Sequence, residues 1–301
     1  MKKHFLYTPF TGLGLYNGYR GDHWLKNRIK VFKQFVVPSL LNQTNRDFVL
    51  WVSWRPQERT NPQVIELKEW LDKKLENVFT YSGVCFWDDK YPDDVARDRL
   101  LMAIHGAAPE LTGVMNKVWG DEWYNYEAYM TIQPSDDCYH KNAVRDIQNI
   151  MRRKDVEACG FKHGYIINYA TKDVAQYNPT TNPPFYTIKF LAKDFIDPLK
   201  HTQHTGPYKS HEYVPDFLKY EILPGKMYLV GTHNNNISTT YNIPYKGCEV
   251  SQLVLTDFGI YDVPPAELEI SPYKKWFDAL PHPVRRKLRY WFGEKLMAKL
   301  Y

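Results

Sequence analysis

Tyr129-Met130-Thr131-Ile132-Gln133-Pro134-Ser135-Asp136-Asp137-Cys138-Tyr139 is an alternating, partly apolar run that stops abruptly in two adjacent carboxylates. A helical pattern follows, from Asn142 to about Met151. In an α/β chain, a strand ending in Asp-Asp puts negative charge in the crevice where ligands sit, outside the carboxyl ends of the strands. Two such acids repel each other unless a cation or a set of donors lies between them. A hard divalent metal suits the position, because it takes oxygen ligands and leaves sites open for phosphate oxygens. The stretch therefore predicts a pocket for a sugar diphosphate around Asp136 and Asp137. A turn whose aspartate caps the next helix accounts for the same residues with no ligand at all.

The 301 residues suffice for one large α/β domain or two small ones. With 44% hydrophobic and 24% charged residues, a packed core is expected. The net charge of +5 is too small to make nucleic acid the main partner, and the basic residues form no single uninterrupted block. It suits an anionic ligand or an anionic membrane surface. Aromatic residues reach 16%, which fits either a Tyr-rich core or rings that stack on sugars. Cys85, Cys138, Cys159 and Cys248 are far apart and form no Cys-x-x-Cys, which argues against a zinc ribbon and for free thiols in a reducing compartment. Residues Met1–Pro9 lack the apolar core of a signal peptide. No run approaches the ~20 apolar residues of a membrane span. The expectation is a cytoplasmic protein, peripheral at most to the inner face of a membrane.

Along the chain, His4–Thr8 reads as a first strand, followed by a Gly-containing loop whose Gly12-x-Gly14 lacks the third glycine of a dinucleotide fingerprint. Leu25, Ile29, Phe32 and Val36 recur at helical spacing, and Pro38 is expected to end that helix. Asp47–Trp54 is a buried strand. Asn61-Pro62 opens a helix with Val64, Leu67, Leu71 and Leu75 inward. Val78–Trp87 is a third strand, and a helix carrying Arg97 and Arg99 follows it. This alternation predicts a mostly parallel central sheet with helices on both faces. Later strands are expected at 156–169, 185–191 and 227–232. The predicted organisation is a single domain over 1–262, with a donor half (1–150) and an acceptor half (151–262), and a helical tail over 263–301. From Pro272 the tail interleaves Trp276, Phe277, Trp291 and Phe292 with Lys and Arg. Such a basic amphipathic helix lies in a membrane interface or packs on the body or a second subunit.

Five stretches, in order, resemble the bacterial rhamnosyltransferase-like family of glycosyltransferases with a GT-A-like (Rossmann-like) fold: Arg28–Gln43 running into Asp47-Phe48, Ser135-Asp136-Asp137, Pro184-Phe185-Tyr186-Thr187, Lys209-Ser210-His211-Glu212, and His233-Asn234-Asn235-Asn236-Ile237-Ser238. The resemblance implies a transferase that moves a sugar, such as rhamnose, from a nucleotide-diphosphate donor to a glycan or lipid-linked acceptor. It implies manganese or magnesium held by Asp136, Asp137 and His233. It implies Glu212, beside His211, as the catalytic base. Thr8, Arg28, Arg97, Arg99, Ser135, Asn235 and Ser238 are the residues expected around the nucleotide and its phosphates. Pro134 stands where the family pattern has its first acid, which puts the metal geometry in question. A non-catalytic carbohydrate-binding or scaffold protein on the same fold is the alternative. A metal-dependent nuclease or phosphatase would call for more clustered acids and histidines.

Overall fold

The computed structural model describes residues 3–10, 22–54, 58, 60–82, 112–113, 115–195, 211–233, 236, 241, 247–269, 272–281, 283–285, 287–288 and 290–292. The predicted Arg97–Arg99 helix, Cys85, Asn235 and Ser238 lie outside them.

Strand β1 (Lys3–Pro9) lies between β2 (Val49–Trp54) and β4 (Glu127–Ile132) and is parallel to both. Strand β3 (Val78–Ser82) is parallel to β2 on the outside. Side chains alternate between the two faces, as a strand's period of two requires. Phe5, Tyr7, Trp51, Met130 and Ile132 join Trp119 and Trp123 on one face. Leu6, Leu50 and Val52 join Trp24, Leu25, Ile29 and Leu67 on the other.

Beyond β4 the expectation of a mostly parallel sheet fails. The order is β3-β2-β1-β4-β8-β6-β9-β5, with β7 on β6. Strand β8 (Tyr186–Leu191) is antiparallel to both β4 and β6 (Ala158–Asn168). Strands β5 (Cys138–Tyr139) and β7 (Val174–Tyr177) are antiparallel to their neighbours, and only β9 (Tyr220–Thr232) is parallel to β6. The physical reason is the connections. Parallel neighbours need long crossovers, whereas the short link between β6 and β7 permits only an antiparallel return. Strand β9 is also longer than its apolar end suggested, beginning at Tyr220, and its pairing with β6 shifts register around Pro224-Gly225.

Helix α1 (Asp22–Val31) does not stop before Pro38. It passes through a π-helical turn, Phe32–Val36, into α2 (Val37–Leu41). The wider turn shifts the hydrogen bonds by one residue just where proline has no N–H to give, so the helix survives. Helix α3 (Pro62–Lys74) starts as expected: Asn61 accepts from the N–H of Gln63 at 2.9 Å and Pro62 sits in the first turn. Helix α4 (Ala143–Met151) buries Ala143, Val144, Ile147 and Met151. Cys138 and Cys159 are buried free thiols and Cys248 is an exposed one.

The segment 263–269 is laced along α1. Asn27 Nδ2 donates to the Glu269 carbonyl at 2.6 Å, Gln34 Nε2 to that of Pro264 at 2.8 Å, and the Ala266 N–H to that of Tyr169 at 2.7 Å. Helix α6 (Pro272–Ala279), numbered after the single turn α5 (Val214–Phe217), then places Phe277 in the same core as Trp24. No helix of the described residues is long and apolar enough to cross a membrane.

One close approach fixes how β9 meets the turn after β4. A Cβ on Gly231 would stand 1.9 Å from the Asp136 carbonyl oxygen and 2.4 Å from the Tyr169 ring. Both neighbours are buried and neither is the free end of a flexible chain, so Gly231→Ala should cost about 3 kcal/mol in urea denaturation. Gly113→Ala, on a helical residue with nothing within 4 Å, should change stability by less than about 1 kcal/mol, in the stabilising direction.

Candidate functional site

Strand β4 ends at Ile132, but the chain stays tied to β1: the Gln133 N–H donates to the Tyr7 carbonyl at 2.8 Å. The Gln133 side chain then closes the turn, donating to the carbonyls of Pro134 (2.9 Å) and Asp137 (2.7 Å). Asp136 and Asp137 are consequently buried.

Asp136 is surrounded by donors. The Arg28 guanidinium, from α1, is ion-paired with its Oδ2. His233 Nε2 is 3.2 Å and Asn236 Nδ2 3.1 Å from the same oxygen. Its backbone carbonyl accepts from the Tyr169 hydroxyl at 2.9 Å. Arg28 is 1% exposed and its guanidinium lies 5.3 Å from the centre of the Trp24 ring. Tyr169 is stacked on Phe35, with ring centres 3.9 Å apart. Asp137 Oδ1 accepts the Gly231 N–H at 2.8 Å.

The two acids resolve their repulsion unequally. Burial pushes the Asp136 carboxyl up, but the charge of Arg28 and the hydrogen bond from His233 outweigh it, and its pKa falls below the ordinary aspartate value. Burial and then the charge of Asp136 push Asp137 well above that value, against the pull of the Gly231 N–H and Arg28.

Asp136, Asp137 and His233 are thus gathered in one place, but not as an open set of metal ligands. Among the described residues no group of three or more His, Cys, Asp or Glu is arranged to hold a metal ion. The positive charge beside Asp136 is an arginine. Arg28, expected near the nucleotide, is that arginine. Thr8 and Ser135 lie at the carboxyl ends of β1 and β4, since Tyr7 pairs with Ile132. Both are buried, and Thr8 Oγ1 and Ser135 Oγ have no hydrogen-bond partner among the described residues.

His211 and Glu212 sit elsewhere, on a short turn, His211–Tyr213. His211 Nδ1 is 2.6 Å from the Asn182 carbonyl oxygen, and Asn182 Nδ2 donates to the His211 carbonyl at 3.0 Å. Val214, next along, packs with Phe5 and Tyr7, on the sheet face opposite Trp24 and α1. Sequence reasoning missed Asn236, Tyr169 and Gly231. Asn235, expected from the same asparagine run, lies outside the described residues, and nothing in composition separates the members of that run. The one available signal was Arg28 itself, a charge set inside the apolar stripe of Leu25, Ile29 and Phe32.

Neither a protein-family model nor a curated protein matches the sequence. Among solved structures, the chain is similar to that of S. aureus TarS 1–349 at 12% identity and a TM-score of 0.35, covering 77% of this chain and 61% of that one. The same protein in complex with UDP matches at 11% identity and 0.38 over 98% of this chain and 73% of that one. In complex with UDP-GlcNAc it matches at 12% and 0.36 over 89% and 68%. Likeness at these scores carries nothing about function.

Proposed function

We propose that the chain is a glycosyltransferase whose nucleotide-diphosphate sugar is seated at the carboxyl ends of β1 and β4, beside Arg28 and Asp136. The observation that carries this reading is the pair of hydroxyls, of Thr8 and Ser135, buried at that place with no hydrogen-bond partner among the described residues. A buried hydroxyl without a partner costs about 1–3 kcal/mol, so two together favour a polar ligand. The GT-A-like fold, the donor and the transfer itself are supported by the motif order in the sequence and by this site.

In the transfer, the acceptor hydroxyl oxygen bonds to the anomeric carbon as the bond from that carbon to the diphosphate breaks. Negative charge builds on the leaving phosphate and needs a fixed positive partner. A divalent ion does not fit the side chains as they stand. Asp136 Oδ2 already faces the donors of Arg28, His233 and Asn236. We therefore assign the charge-stabilising role to Arg28, whose planar fork of five N–H donors can serve a carboxylate and a phosphate together.

The acceptor proton is assigned to the His211–Glu212 pair, which lies across the sheet from Arg28, so this role requires the acceptor hydroxyl to be delivered at the strand ends between the two faces. A carbonyl only accepts, so His211 Nδ1 carries the proton given to Asn182 and Nε2 keeps a lone pair. Burial lowers the His211 pKa, which holds the ring neutral at neutral pH. A second reading, a non-catalytic carbohydrate-binding protein, is favoured by the near-complete burial of Arg28 and Asp136, which also suits a purely structural ion pair.

Thr8→Val and Ser135→Ala separate the two readings. Each removes a costly hydroxyl and should stabilise the free protein by about 1 kcal/mol. If the hydroxyls serve the donor, each should also weaken nucleotide-sugar binding about tenfold in calorimetry. A stability gain with unchanged affinity for UDP-, dTDP- and GDP-sugars removes the donor seat. Donor affinity should be the same within about twofold in EDTA and in manganese if Arg28 serves the phosphate. A strong rise on adding manganese restores the metal. Glu212→Gln and His211→Gln should keep donor binding, and at least one should lose turnover.

The ion pair has its own pH signature. A carboxyl whose folded pKa lies below its unfolded value of 3.8 adds stability above that value and loses it as pH falls through the lowered one. Asp136→Ala should therefore cost about 3–5 kcal/mol near neutrality, where it removes the carboxylate from the buried Arg28. The difference from the parent should shrink in acid, as followed by urea melts across pH.

A further inference from the structure

Residues 272–301 carry eight Lys and Arg against two Asp and Glu, while the whole chain is only +5. The positive surplus of the protein therefore resides in this segment, and the remainder is close to neutral. The same segment holds a group of aromatic side chains left in solvent. Tyr273, Trp276, Tyr290, Trp291 and Phe292 are between 56% and 87% exposed.

This exposure does not come from a helix that failed to dock. Phe277 is fully buried, and Leu280 and Leu288 pack against the core that contains Trp24 and Leu25. The hydrogen bonds of Asn27, Gln34 and Ala266 fix the strand of chain leading into it. An ion pair between Lys26 and Glu269 adds to them at 2.9 Å. Anchoring is complete through one set of apolar residues, and a second set of large aromatic ones is left over.

We propose that the exposed residues Tyr273, Trp276, Tyr290, Trp291 and Phe292 mark a membrane-docking surface for anionic phospholipid, with Trp276, Trp291 and Phe292 entering the headgroup boundary. Trp and Tyr rings suit that boundary, where one end of the ring is apolar and the other wet. Basic residues add about 1 kcal/mol each near an anionic surface. Charge decides against the other occupant, a second copy of this chain. Interface cores between proteins are depleted in Lys, and two copies of so basic a segment repel each other. The proposal is independent of the transferase reading.

The test is flotation of the full chain with vesicles of phosphatidylcholine containing about a third phosphatidylglycerol, against phosphatidylcholine alone. The chain should float with the anionic vesicles and be released as salt rises, because screening weakens the charge contribution. The triple variant Trp276→Ser, Trp291→Ser, Phe292→Ser should bind at least about tenfold more weakly with an unchanged melting temperature, since the side chains are exposed. Three results overturn the proposal: no flotation with anionic vesicles at low salt, undiminished flotation of the triple variant, or a lipid-free dimer in sedimentation equilibrium that the same substitutions dissociate.

Discussion

A buried charge pair is worth keeping only when its surroundings satisfy what its partner cannot. Arg28 and Asp136 meet that condition through residues from distant parts of the chain. Arg28 comes from α1, Asp136 from the turn after β4, Tyr169 from just beyond β6, and His233 with Asn236 from the chain beyond β9. The desolvation of two charges is offset only because donors reach both the carboxylate and the carbonyl of Asp136. The parallel half of the sheet and its mixed half therefore meet at one carboxylate. Neither half can shift without breaking that buried ion pair.

The same constraint explains the two neighbouring acids. Side by side at a strand end they predict a cation, and a cation is there, but it belongs to the protein. It is ion-paired with Asp136 and only opposes, without overcoming, the rise of the Asp137 pKa. Asp137 is left with a backbone N–H and a carboxyl pushed well above its ordinary range by burial and by its neighbour. Repulsion is relieved by making the pair unequal, which an external divalent ion would not require.

How much of this could be read from the sequence depends on the range of the interaction involved. Local patterns carried the strands β1, β2 and β4, the Asn61-Pro62 start of α3 and the extent of α4, since each is decided within a few residues by spacing and capping. Pro38 misled because a π-helical turn, invisible to a 3.6-residue period, absorbed it. The antiparallel β8 was illegible because strand direction depends on which strand is the neighbour, and here β4 and β6 lie far apart in sequence. The site divides in the same way. Asp136 and His233 were legible as residue types beside turns. The contact of Asn236 with Asp136 was not, because it depends on the close approach of Gly231 to the Asp136 backbone.

The unequal charge of the two acids also bears on how such a site could receive a phosphate. An incoming diphosphate beside two ionised carboxylates would face strong repulsion in a poorly screened interior. With Arg28 paired to Asp136, and the Asp137 pKa raised by burial and by its neighbour, that repulsion is lessened before any ligand arrives. The arginine must then divide its N–H donors between a resident carboxylate and a visiting phosphate, both of which it can address because its fork is planar and its charge delocalised. A lysine at position 28 would have to choose one of them. In the proposed reading, the identity of that single side chain, more than the presence of the acids, is what would let the buried end of β4 receive an anion.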